Sequence, residues 1–167
     1  MTNNISIVKY TSDHRDACAD LFLRVYNAPP FDFHWLDRPK ALHYLADLEN
    51  TPASLSYVLI ENESIIGACL GQKEEHFMNP GYKINEFFIE PGHQHMGIGS
   101  QFIMELENKI REHGINTINL FTQRQMSSFA FYKKNGFVPS SETVHMVKAI
   151  NQESSVIYAR TFLNSDN

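Results

Sequence analysis

From Ile89 to Ser100 the chain reads Ile-Glu-Pro-Gly-His-Gln-His-Met-Gly-Ile-Gly-Ser, a short loop between an apolar run and an amphipathic one. If the run before it is a strand and the run after it a helix, this is an anion site. Gly97 and Gly99 carry no side chain to block close approach, so successive backbone amides can face a phosphate at a helix N-terminus. The loop lacks the lysine and the serine or threonine of GxxxxGK[ST] and the third glycine of GxGxxG, which disfavours ATP and NAD. Taken alone, the two glycines fit a tight strand-to-helix turn equally well. Glu86 lies just upstream, between Ile84 and Phe88 on one face of the predicted strand. A carboxylate there is poorly solvated and becomes either a base with a raised pKa or the partner of a nearby Lys or Arg; Glu90 is its neighbour in the same role. Tyr132, beside Phe129 and Phe131, reads by composition as a core aromatic. His93 and His95 form an HxH without HExxH or a cysteine cluster and read as exposed loop side chains, so no metal is expected. Cys69 has no His and Asp or Asn constellation around it and reads as a small buried strand residue.

The elements that position these residues follow from periodicity. Ile5, Ile7 and Val8 predict a first strand, and Thr11-Ser12-Asp13 a helix start. Cys18, Leu21, Phe22 and Val25 form one apolar stripe, ended by Asn27 and Pro29-Pro30. A second helix begins near Asp37 and Pro39, shows Leu42, Leu45 and Leu48, and stops at Asn50 and Pro52. Residues 57–60 and 65–70 read as an antiparallel hairpin across Glu61-Asn62-Glu63-Ser64. Residues 82–89 read as a central strand covered on both faces, with Ile84 and Phe88 on one and Phe87 and Ile89 on the other. A helix over about 97–113 turns Phe102, Ile103, Leu106 and Ile110 inward, with Gly114 at its C-terminal cap. Residues 115–122 predict a strand and 127–135 a short helix. Phe137-Val138 and residues 144–150 predict the last strands, and residues 156–163 a further strand or a docked tail.

The chain has 167 residues, 43% of them hydrophobic and 20% charged, with a net charge of -5. That size suits one domain with its own core, and no linker, repeat or low-complexity run divides it, so residues 1–167 read as one domain. The acidic balance repels polyphosphate and argues against a nucleic-acid partner. The two cysteines, Cys18 and Cys69, lie apart in apolar stretches, as in a reduced compartment. The N-terminus lacks a signal-peptide pattern and no apolar run approaches the roughly 20 residues of a membrane span, so a soluble, cytoplasmic protein is expected.

Gln94-His95-Met96-Gly97-Ile98-Gly99 is similar to the QxxGxG signature by which the GNAT superfamily of acetyl-CoA-dependent N-acetyltransferases binds the CoA pyrophosphate. The run from Ile84 to Pro91 resembles that family's fourth strand, and Phe131-Tyr132-Lys133-Lys134-Asn135-Gly136-Phe137 resembles its second hallmark, a tyrosine-bearing helix leading into a Gly-Phe strand start. The order of elements agrees up to about residue 150. The chain departs from the pattern at Gln125, where many members carry an asparagine that contacts the cofactor.

The resemblance implies an α/β fold of mixed α+β type: a central, mixed, mostly antiparallel sheet with helices on both faces. It implies acetyl-CoA as co-substrate, its pantetheine arm pairing with the fourth strand at Phe88 and Ile89, where a backbone amide would stabilise the developing oxyanion. Its pyrophosphate would lie against Gln94, His95, Met96, Gly97, Ile98, Gly99 and Ser100, with Gln125 and Ser128 contributing from the later helix. Tyr132 then matches the family tyrosine that protonates the departing thiolate, a role suited to a phenol with an ordinary pKa of about 10. An alkyl amine with a pKa of about 10.4 must lose a proton before it attacks, and Glu86 is the candidate base, with a water relay as the other route.

The acceptor is expected to be a small-molecule or peptide amine. Phe31, Phe33 and Trp35 with Asp32 form an unusually aromatic stretch that reads as a wall for a cationic or aromatic amine, or as packing of the first two helices onto the sheet. A rival from another class is a catalytically silent module that binds acetyl-CoA as a sensor; Tyr132 argues for activity, because a pure binder needs no proton donor for a thiolate. A hydrolase is disfavoured by the missing GxSxG elbow. An exposed strand near the C-terminus would allow pairing into a homodimer.

Overall fold

The computed structural model describes residues 5–31, 37–75, 79–146, 148 and 150. Their elements run β1 (Ile5–Lys9), α1 (Arg15–Tyr26), α2 (Arg38–Glu49), β2 (Tyr57–Glu61), β3 (Ser64–Glu75), β4 (Pro80–Ile89), α3 (Ile98–Arg111), β5 (Thr117–Leu120) and α4 (Ser127–Lys134). The strands form one sheet in the order β1-β2-β3-β4-β5. All neighbours pair antiparallel except β4 and β5, which are parallel. This is the mixed, mostly antiparallel sheet that the resemblance implies.

Local chemistry accounts for the helices. The Asp37 side chain accepts the Lys40 amide, capping α2 with Pro39 in its first turn. The α1 stripe of Cys18, Leu21, Phe22 and Val25 is buried as its spacing predicts, and it packs with Ala41 and Leu45 of α2 on Val58, Ala68, Leu70 and Phe88 of the sheet. On the opposite face, α3 buries Phe102, Ile103, Leu106 and Ile110. Rings there meet the Phe87 side chain from Phe102 at 5.3 Å and from Phe131 of α4 at 5.7 Å. Helices therefore cover both faces. Both cysteines are buried, and desolvation pushes each thiol up to about 12, so Cys69 stays protonated and is no nucleophile.

One difference from the sequence expectation matters for the site. Leu70 of β3 lies opposite Glu86 while the next residue, Gly71, lies opposite Ile84, so Asn85 is the extra residue of a β-bulge. Ile84 therefore takes the face of Phe87 and Ile89, and Glu86 shares its face with Phe88 and not with Ile84. The chain also forms two compact units, Met1–Asn135 and Gly136–Asn167. In the second, Phe137, Val138 and residues 144–146 lie in no strand, where the sequence pattern predicts the last ones. An apolar run becomes a strand only when a neighbouring backbone takes its hydrogen bonds, and periodicity alone does not supply one. The stretch 156–163 lies outside the described residues.

Candidate active site

The open edge of β4 is the first component. Its pairing with β5 covers Gly81 to Ile84 and stops at the bulge, while β4 continues on β3 to Ile89. From Asn85 to Ile89 the β5 side of β4 thus has no strand neighbour among the described residues. The backbone groups that face that side, apart from the Ile89 carbonyl engaged by the Gln94 side chain, are open to an extended ligand in the manner of an added strand.

The strand delivers the chain to the glycine loop. The Glu90 amide donates to the Ile66 carbonyl at 2.8 Å, and a 3-10 turn over Pro91–His93 redirects the backbone. The Gln94 amide side chain donates to the Ile89 carbonyl at 2.9 Å, tying the loop back to the end of β4. Gln94 is thus a structural brace for the loop. Gly97, the residue before α3, has φ of 84°, and nothing lies within 4 Å of where its Cβ would stand. His95 also takes a left-handed φ, 62°. The amide of Gln101 is the first to donate into the helix, to the Gly97 carbonyl at 3.0 Å, so those of Ile98, Gly99 and Ser100 have no acceptor in the helix. At Gly99 a Cβ would stand 3.1 Å from the Phe131 ring, so the missing side chain lets α3 and α4 approach. An open glycine, free amides and a helix dipole make a fit for a diphosphate, and β4 beside them makes a fit for an extended pantetheine arm. Met96 and His95 are exposed. His93 is turned away, its Nε2 3.0 Å from the Glu61 carboxylate.

Glu86 and Tyr132 approach this edge from the two sides. Glu86 accepts hydrogen bonds from the Tyr26 hydroxyl at Oε2 and from the Tyr44 hydroxyl at Oε1, both 2.6 Å. Burial raises its pKa above the ordinary 4.5, and the two hydroxyls oppose that rise. The Lys or Arg partner weighed from sequence is replaced by two tyrosines. Glu90 instead makes an ion pair with Arg24 of α1, its Oε2 2.6 Å from Nη2, which commits it elsewhere. Tyr132 of α4 is 9% exposed, and its ring meets Phe87 at 6.5 Å and Phe131 at 5.2 Å. Burial, and then the nearby Cys69 and Glu86, push its hydroxyl pKa up, so it is protonated at neutral pH.

The remaining sequence candidates separate. Ser128, in the first turn of α4, lies with its hydroxyl 2.9 Å from that of Thr122, and Gln125 is exposed in the turn before the helix. Phe31 lies 5.0 Å from the Tyr26 ring and packs on the core, which puts it one ring away from Glu86. Asp32, Phe33 and Trp35 lie outside the described residues. Sequence reasoning missed Tyr26, Tyr44 and Arg24. The tyrosines carry a signal, since Tyr26 follows Phe22 at i+4 on the α1 stripe, and Tyr44 follows Ala41 at i+3 beside Leu45 and Leu48. A tyrosine on an apolar stripe sends a polar tip to a buried acceptor. Among the described residues no three His, Cys, Asp or Glu side chains cluster as metal ligands, and no helix is long and apolar enough to cross a membrane.

The fold recurs in solved structures. An aminoglycoside acetyltransferase, meta-AAC0020, from an uncultured soil metagenomic sample, solved with sisomicin, superposes with a TM-score of 0.71 at 17% identity over 88% of this chain and 97% of that one. The aminoglycoside acetyltransferase AAC(6')-Iy, solved with the bisubstrate analogue CoA-S-monomethyl-acetylneamine, gives 0.67 at 14% identity over 87% and 99%. An integron cassette protein of the mobile metagenome of V. cholerae gives 0.74 at 13% identity over 92% and 97%. At such identities the likeness establishes the fold, that of the GNAT acetyltransferases. No curated protein matches the chain. The model of the acetyltransferase (GNAT) family matches residues 21–137, so the chain belongs to that family and is an acetyltransferase.

Proposed function

We propose that the protein transfers the acetyl group of acetyl-CoA to a primary amine by direct attack of the amine on the thioester. The observation that carries this reading is the open edge of β4 from Asn85 to Ile89, which runs into the free amides of α3 with Glu86 on one face and the Tyr132 ring beside Phe87 on the other. The Ile89 amide, on the open side of the strand, would hold the pantetheine arm and meet the thioester oxygen as it gains charge, whereas Phe88, paired with Ala68, turns its amide and carbonyl to β3 and corrects the sequence expectation for that residue. The amides of Ile98, Gly99 and Ser100 would take the diphosphate, while Gln125 and Ser128 stand at the start of α4 for the rest of the co-substrate. Glu86 takes the proton that an ammonium must lose, a task for which burial suits it. The amine nitrogen then bonds to the thioester carbon, the carbon–sulfur bond breaks, and Tyr132 gives its hydroxyl proton to the sulfur; the second proton of the amine leaves the new amide nitrogen and restores the Tyr132 hydroxyl, and Glu86 releases the proton it took to solvent. Structures of the same fold solved with CoA and with a CoA bisubstrate analogue support acetyl-CoA as the co-substrate. Phe31 remains the described part of a wall for the acceptor.

Thiol release from acetyl-CoA across a panel of amines, with the acetylated product identified by mass, tests the reading. Turnover with one amine class supports it. Tight acetyl-CoA binding without turnover on any amine would overturn it in favour of an acetyl-CoA-sensing module.

A further inference from the structure

Glu86 is reached from three directions. Tyr26 closes α1 and Tyr44 stands in the middle of α2, separated from Glu86 by 60 and 42 positions in sequence, yet both hydroxyls end 2.6 Å from its carboxylate, one on each oxygen. From the opposite side of the sheet Tyr132 of α4 lies within electrostatic range. No described lysine, arginine or histidine pairs with the carboxylate, and Arg24, two residues before Tyr26, is bound to Glu90. The two tyrosines are therefore its hydrogen-bond donors among the described residues.

We infer that Tyr26 and Tyr44 are positioning residues: their hydroxyls fix the Glu86 carboxylate in one orientation and hold it in the ionised form that accepts the proton of the incoming amine. The inference rests on the reading of Glu86 as the base. A hydroxyl donating to a carboxylate stabilises the charged form, whereas burial in an apolar sheet face penalises it. Without the hydroxyls, Glu86 would be held neutral by its surroundings over more of the physiological range, and a neutral carboxyl cannot take a proton. Each oxygen accepts one hydroxyl and keeps a further lone pair, so the clamp leaves room for the transferred proton. Tyr44, 37% exposed, forms the outer side of the clamp, and Tyr26, held by the rings of Phe22, Phe31 and Phe88, forms the inner side.

The test uses Tyr26→Phe, Tyr44→Phe and the double variant, which keep the rings and remove only the hydroxyls. The Glu86 carboxyl is titrated by carbon-13 NMR in the full chain, with Glu86→Gln identifying its signal, so this readout is independent of activity. The kcat/KM profile against pH is recorded in parallel, with a primary alkylamine that the wild type turns over. Loss of one charge-assisted hydrogen bond is worth roughly 1.5–3 kcal/mol, so each single variant is expected to raise the Glu86 midpoint by about one unit or more. The acid limb of kcat/KM is expected to move up by the same amount, and the double variant to move both further. A merely structural role would lower activity at every pH without moving either midpoint. Unchanged Glu86 midpoints in folded variants would overturn the inference. A raised Glu86 midpoint with an unmoved kinetic limb would instead uphold the clamp and overturn Glu86 as the base.

Discussion

Gly97→Ala separates the two duties assigned to the loop, its backbone shape and its opening toward a ligand. At φ of 84° an alanine is in the left-handed region, which costs an L-residue about 1–2 kcal/mol. Nothing lies within 4 Å of the new methyl, so no clash adds to that cost. For a chain of this size each kcal/mol is about 2–4 °C, giving a fall in Tm of about 2–8 °C. The methyl stands on the open side of the loop and would displace a diphosphate oxygen from at least one helix amide. A lost charge-assisted hydrogen bond of about 1.5–3 kcal/mol weakens acetyl-CoA binding roughly ten- to a hundredfold. Gly114→Ala is the control. Gly114 sits past the opposite end of α3 with φ of 74° and equal open space, so its alanine carries the same strain without touching the loop. Thermal unfolding and calorimetric titration with acetyl-CoA read both effects. The reasoning predicts similar Tm losses in the two variants and weakened binding in Gly97→Ala alone. Equal acetyl-CoA affinity in both would refute the loop as the diphosphate site, and a Tm loss in Gly97→Ala far beyond that of Gly114→Ala would refute the strain argument.

Other consequences follow from the same geometry. The folded pKa of Glu86 lies above its ordinary 4.5, so its neutral form favours folding below that value and this advantage is lost as pH rises through the folded pKa. Glu86→Gln, which does not titrate, is accordingly expected to gain Tm relative to wild type as pH is raised from about 4.5 toward neutrality, measured by thermal melts across pH, while its turnover collapses. Tyr82, fully buried, donates its hydroxyl to the Leu55 carbonyl at 2.7 Å; Tyr82→Phe strands that carbonyl and should cost about 1–3 kcal/mol in urea unfolding.

Much of this arrangement is written locally in the chain. The α1 and α3 stripes, the capping of α2 by Asp37 and the placement of the glycine loop at a helix start are short-range facts, settled within one or two turns, and the structure repeats them. The face assignment of β4 is different. Strict alternation puts Ile84 with Glu86, but the register slip at Leu70 and Gly71 belongs to the pairing of two strands and leaves no mark on either sequence. The partners of Glu86 are long-range in the same sense. A buried carboxylate announces that it needs donors, yet which helix supplies them depends on how α1 and α2 cross the sheet. The ion pair of Glu90 with Arg24, 66 positions away, is likewise visible only once α1 lies beside the end of β4. Tyr132 shows the reverse case, because composition alone reads it as a core ring and it is indeed buried among rings. Its proposed chemistry comes from lying beside Phe87, next to the open edge.

The central claim is that this edge delivers an acetyl group with Tyr132 protonating the leaving sulfur. It is tested most directly by comparing kcat for thiol release in wild type and Tyr132→Phe at saturating acetyl-CoA, with acetyl-CoA affinity measured separately. The account predicts an unchanged affinity and a kcat reduced by about a hundredfold or more, the range in which a general acid contributes. A Tyr132→Phe enzyme that binds and turns over like the wild type would contradict it.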